Sequence, residues 1–209
     1  MTPRICTSSL LASVAVVLGL ALGNPAAVIS TAPADVVSAL ADDVIVVLKE
    51  DGLSDDEKRV RLETIVLEVV DFETLSRLVL ARNWRRFSAE QQQEFLGEFK
   101  QHLAATYGRR IDNYQNETVE ILGTREEARG DRTVRSKINR GGGIEDVLVD
   151  YRLRESDGQW KIIDFIIEGV SLVANFRSQF QSLMSQGGPE HLLSALRKKT
   201  SEEEAKEDD

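Results

Sequence analysis

Few residues in this chain could exchange protons or attack a bond. His102 and His191 are its only histidines, and Cys6 is its only cysteine. A general base needs a nucleophile within hydrogen-bond reach and a third group to orient it. Neither histidine belongs to such a pattern, and each lies in a stretch with helical apolar spacing, where packing or surface roles suffice. Gly169-Val-Ser171-Leu-Val173 follows a strand-like run and opens a helix-like one, as a nucleophile elbow does. Val173, however, stands where that elbow needs its last glycine. No HExxH, P-loop or GxGxxG occurs, and carboxylates such as Asp146 and Asp150 lack metal-ligand spacing. The inventory points away from catalysis, with an esterase kept only as the weakest alternative, and no cofactor or metal is expected.

Charge narrows the partners. The 209 residues carry 35 acidic against 26 basic side chains, a formal net charge of -9, which argues against nucleic acid as a partner. Residues 1–23 read as a cleavable signal peptide: Arg4 precedes an apolar core from Leu10 to Leu22, and small residues follow. That core is too short to span a bilayer. Export to the periplasm is expected, with the mature chain beginning between Asn24 and Ala34. Cys6 precedes the apolar core, so it is not placed for lipid modification and is lost on cleavage. Packing without disulfides must then stabilise the mature chain. Residues 200–209 read as an acidic, disordered tail.

The elements follow from periodicity. Asp35 is a candidate cap for a helix carrying Val37, Leu40, Val44, Val47 and Leu48 inward. Ser54 to Glu57 and Ser88 to Gln91 are capping boxes that open two further helices, the second with Phe95, Phe99 and Leu103 at spacing four. Asp71 starts a short helix between them. From Glu117 the period changes to two, with Val134, Ser136 and Ile138 on one face and, further on, Val147, Val149, Tyr151 and Leu153. Gly141 to Gly143 and Asp157-Gly158 are turn signals, so the strands should form an antiparallel meander of four. In Trp160 to Ile167 both faces are apolar, Trp160, Ile162 and Ile166 against Ile163, Phe165 and Ile167. Gly169 then bends the chain into a helix with Leu172, Val173, Phe176 and Phe180 at helical spacing, with Ser171 or Asn175 able to cap it. A last helix, His191 to Lys199, follows Gly187-Gly-Pro189. The order helices, strands, helices makes an α+β domain over residues 35–199.

Two separated blocks carry a resemblance. DFETLSRLVLARNWRRFSAEQQQEFLGEF from Asp71 and DGQWKIIDFIIEGVSLVANFRSQF from Asp157 are similar to the MlaC family of periplasmic phospholipid-shuttling proteins. The resemblance implies an α+β fold whose curved sheet and helices enclose an apolar pocket for the acyl chains, with the head group near the surface. On the strands, Val149, Tyr151, Ile163 and Phe165 are the implied lining. The helices and their connections offer Leu78, Trp84, Phe95, Phe99 and Tyr107, and the motif segment adds Val170, Val173 and Phe176. Hiding two acyl chains means sheltering on the order of thirty methylene and methyl groups at ~0.8 kcal/mol each, so the pocket must be deep. Arg82, Arg85, Arg86 and Arg109 could meet an anionic head group or a membrane complex, or simply pair with the many acids. Implied partners are a phospholipid cargo, an inner-membrane MCE-type subunit of an ABC transporter and an outer-membrane lipoprotein complex. The chain departs from several relatives in being acidic and in its tail. Family members also accompany hopanoid synthesis, so a polycyclic lipid is an alternative cargo, and a protein-binding adaptor with a filled core is another reading.

Overall fold

The structure, a computed structural model, describes residues 32–107 and 117–205. The first helix, α1 (Pro33–Leu48), begins two residues before its expected cap: Ala32 is the N-cap, and Asp35 reaches back to accept from the Ala32 N–H at 3.0 Å. Pro33 explains the shift, since its fixed φ and missing N–H suit the first helical position. The capping boxes form as the sequence indicates. Ser54 Oγ accepts from Glu57 N (3.3 Å) to start α2 (Asp55–Val69), and Ser88 Oγ accepts from Gln91 N (3.2 Å) before α4 (Ala89–Tyr107). Between them, Asp71 accepts from Thr74 N at 2.8 Å to open α3 (Phe72–Leu80), which runs into a 3-10 turn, Ala81–Arg86.

The sheet is an antiparallel meander in sequential order: β1 (Thr118–Glu126), β2 (Arg132–Asn139), β3 (Val147–Ser156), β4 (Gln159–Ile167) and β5 (Val170–Ser171). It has one strand more than the sequence indicated. Glu168 and Gly169 both take positive φ, 49° and 77°, the combination that a two-residue hairpin requires, so the chain folds back on β4 before the helix starts. A register shift between β3 and β4 matters more. Ile162 faces Leu153 and Asp164 faces Arg152, leaving Ile163 as the extra residue of a bulge. The strict alternation read from the sequence is therefore broken. Trp160 and Ile162 share a face with Phe165 and Ile167, while Asp164 and Ile166 turn outward.

The helices build one core against the inner face. Val134, Val149, Tyr151, Leu153 and Ile162 join one core with Val37 and Leu40 of α1, Leu75 and Val79 of α3, and Phe95 and Phe99 of α4. The outer face carries cross-strand charges, Arg152 to Asp164 (3.1 Å) and Lys137 to Glu120 (3.0 Å), and the start of the last helix reaches over its Asp164. The last helix, α5 (Leu172–Ala205), is broken at Gly187 and Gly188 and resumes at Pro189. Gly188, at φ 73° and ψ -158°, occupies backbone space that side-chain-bearing residues avoid. Beyond the break, Leu192, Leu193 and Leu196 are buried in the core, and Arg197 pairs with Glu94 and Glu98 of α4. The helix outlasts the expected boundary at Lys199. Thr200 is buried with its hydroxyl donating to Leu196 O (3.0 Å), and Lys198 meets Glu202 one turn on, so the acidic stretch is helical as far as Ala205. The expected signal segment, Arg109 and residues 206–209 lie outside the described residues.

Candidate functional site

The inner face of the sheet is built from apolar rows set by register. Leu153 lies beside Ile162; the next row holds Val134, Tyr151 and Phe165; then come Ser136, Val149 and Ile167; Ile138 and Val147 end the ladder. Burial is graded along it. Leu153, Ile162 and Val134 are fully buried, whereas Ile167, Ile138, Val147 and, on β1, Ile121 are only half-covered. Between these limits, Tyr151 meets Phe165 edge-on at 5.6 Å between ring centroids. Its phenol lies by the Ser136 hydroxyl, and burial pushes its pKa up, so it stays neutral. Ser136 is the polar member of these rows, and its Oγ donates to Val149 O (2.8 Å). An apolar strip thus runs from a partly open end of the sheet into a closed interior. It carries no group suited to proton transfer; its chemistry is desolvation.

A second apolar zone joins α4 to α5. Phe99 packs edge-on against Phe176 (5.0 Å) and Phe180 (5.4 Å), while Phe95 meets Phe180 (5.6 Å) and Phe87 (5.8 Å). Such edge contacts add to plain burial. Here Phe95, Phe99 and Phe176, all assigned to a lining by the sequence, fill one another's space.

The family model for the MlaC protein matches residues 38–198. The chain belongs to the MlaC family. It is 25% identical over 150 residues to the intermembrane phospholipid transport system binding protein MlaC of Haemophilus influenzae, covering 68% of this chain and 69% of that one. It is 27% identical over 128 residues to the toluene tolerance protein ttg2D of Pseudomonas putida, covering 61% of this chain and 59% of that protein. Among solved structures it is similar to the phospholipid-binding protein from Ralstonia solanacearum in complex with a phospholipid. That match has a TM-score of 0.76 and 28% identity over 83% of this chain and 99% of that one.

In this MlaC-family chain the remaining sequence-assigned residues divide clearly. Val149, Tyr151 and Phe165 share the inner face; Leu78, Trp84 and Tyr107 are half-buried against the core, with Arg77 lying 5.6 Å over the Trp84 ring. Val173 is buried at the start of α5. Ile163 does not join them: it is buried at the bulge but stands outside the main cluster. Val170 is 60% exposed and pairs with Ile167 at the half-covered end of the sheet.

The MlaC-like motif residues have a structural explanation through Asp164, which the sequence reading passed over. Asp164 is 1% exposed and accepts from Ser171 Oγ (2.6 Å), Val173 N (3.0 Å) and Arg152 Nη2 (3.1 Å). Ser171 Oγ in turn accepts from Ala174 N (3.0 Å), which makes Ser171, not Asn175, the cap of α5. Arg177 Nε and Nη2 both donate to Leu78 O, at 3.0 and 2.6 Å, tying α5 to the last turn of α3. The available signal for Asp164 was a lone carboxylate inside an otherwise apolar strand. Around this network a polar cleft of about 560 Å³ opens on the outer face, where Arg125 pairs with Glu127, Arg152 with Asp164 and Arg154 with Asp131.

The histidines separate as well. His191 is exposed. His102 is buried edge-on against Phe176 (5.8 Å), with Nδ1 3.4 Å from Thr200 Oγ1. Desolvation, with a smaller contribution from Lys199 and opposed by Glu203, holds its pKa below the ordinary histidine value. Among the described residues, no three His, Cys, Asp or Glu side chains gather as a metal site would need.

Proposed function

We propose that this protein is a periplasmic carrier that holds a phospholipid by its acyl chains between the inner sheet face and the helices. Its proposed role is to pass the lipid between an inner-membrane ABC transporter, through an MCE-type subunit, and an outer-membrane lipoprotein complex. The observation that carries this reading is the graded apolar strip, from half-covered Val147, Ile138 and Ile167 to fully buried Leu153 and Ile162. A chain-binding site must be entered from somewhere, and these half-covered rows offer acyl chains a way in. The phospholipid-bound relative of the same fold supports the same reading. No bond of the cargo is broken in this scheme. The mature domain would begin after residue 23 and the signal peptide would direct export.

The test is native mass spectrometry of protein purified gently from its own periplasm, followed by lipid extraction. One phospholipid per chain is expected. A polycyclic lipid at the same stoichiometry would replace the cargo but keep the carrier, and protein with no bound lipid would favour an adaptor with a filled core.

A further inference from the structure

Away from the inner sheet face, the 3-10 turn Ala81–Arg86 lies beside α5 near its break and borders an open surface cleft of about 390 Å³. It is lined by Arg82, Asn83, Arg86, Gln181, Ser185 and the buried Met184. Its charge is unusual for this chain. Most other described arginines near the sheet face a carboxylate, but among the described residues none pairs with Arg82, Arg85 or Arg86, and no acidic side chain lines the cleft. Arg86 Nη1 donates to Asn83 Oδ1 (3.3 Å), which aims the Asn83 amide N–H groups elsewhere. Ser185 Oγ donates its one proton to Ser182 O (2.7 Å), so it can accept from a hydroxyl of a bound group but does not donate to an anion. Gly188 lies close by: a Cβ there would stand 3.7 Å from Arg86 Nη2, an ordinary contact distance, so the break in α5 is adjacent to the Arg86 guanidinium.

Two arginines, Arg82 and Arg86, thus line a cleft that also holds Asn83, Gln181 and the buried Met184, in a protein of net charge -9. The geometry points to a second binding site, for a phosphate ester borne on a small polar group. Guanidinium forks match phosphate oxygens two at a time, which a lysine cannot do. The cleft volume of about 390 Å³ suits a phosphate with a glycerol-sized substituent and excludes a pair of acyl chains. Met184 gives the substituent's carbons a surface to cover. Both a soluble phosphate ester and the head group of a lipid in a bilayer have this chemistry. The inference does not rest on the carrier reading, and either can fail alone.

The test uses the full mature chain with glycerol 3-phosphate and inorganic phosphate as soluble probes. Binding is followed through the side-chain amide signals of Asn83 and Gln181. Co-sedimentation with phosphatidylglycerol and phosphatidylcholine vesicles supplies the bilayer arm. Saturable binding of a soluble probe is expected, at least about tenfold weaker in R82Q and R86Q and unchanged in R85Q, whose side chain does not line the cleft. Retention on phosphatidylglycerol vesicles alone, lost in R82Q and R86Q and kept in R85Q, identifies the head group as the source. Circular dichroism of each variant confirms folding. Absence of binding to every probe overturns the site, as does equal weakening by all three variants, which would mean diffuse surface charge.

Discussion

The α4–α5 interface and the inner sheet face are both apolar, yet one is closed on itself and the other is closed at one end only. Between the helices, Phe87, Phe95, Phe99, Phe176 and Phe180 meet ring to ring, so each side chain finds its partner inside the cluster. On the sheet, the rows lose cover progressively from Leu153 to Val147. Packing that is complete stabilises the fold; packing that is left incomplete along a continuous apolar strip is, under the proposed function, where acyl chains would lie. The same residue types therefore serve two purposes, and substitution should separate them.

The largest effect is expected at the closed zone. Phe99→Ala removes the ring at the centre of three aromatic contacts and should cost about 3–5 kcal/mol, read as a sharp fall in the urea midpoint. A loss below about 1 kcal/mol would show that this interface is no tighter than the sheet end. Next comes the junction that holds α5 on the sheet. Asp164→Ala leaves Arg152 without its partner and exposes the helix start, which should cost about 2–3 kcal/mol, less than for a fully buried pair because Arg152 is 32% exposed. Thermal unfolding measures it, and Arg152→Ala in the same background should then cost little more, since the two side chains act together.

At the half-open end the expected outcome changes kind. Val147→Trp should alter the stability of delipidated protein by less than about 1 kcal/mol, because the added ring finds space, while bound lipid per chain falls. A penalty of about 1–3 kcal/mol with lipid content unchanged would mean that this end is packed like the rest of the core. The smallest effect concerns pH. His102 has a folded pKa below its ordinary 6.5, so the unfolded chain takes up the proton first as pH falls. Stability from this group is complete above about pH 6.5 and declines as acidification approaches the lowered folded value. Urea midpoints at successive pH values should show a decline through that window that is shallower in His102→Gln.

Much of this was legible beforehand because it depends on neighbours in sequence. Ser54 with Glu57 and Ser88 with Gln91 cap their helices within four residues, and the period-two pattern from Val134 to Leu153 names the inner face. Asp157-Gly158 likewise announces its own turn. The fold class could be read from such signals, since each is a local preference repeated until it excludes the alternatives, while the family was legible only through the resemblance of the two blocks from Asp71 and Asp157.

Tertiary structure decided the rest. Whether Ile163 or Ile162 faces inward depends on one extra residue in a bulge, which shifts every following side chain without changing the apolar composition of the strand. Whether Phe99 lines a cavity or fills a core depends on Phe176 and Phe180, far along the chain, arriving at ring-contact distance. Asp164 acquires its role only where Arg152, Ser171 and the Val173 amide of α5 come within reach of its oxygens. The sequence alone determined which stretches had to be buried, because removal from water is a property of each side chain. Which of them close upon one another, and which stay open to a ligand, was decided only in three dimensions, because packing is a property of pairs.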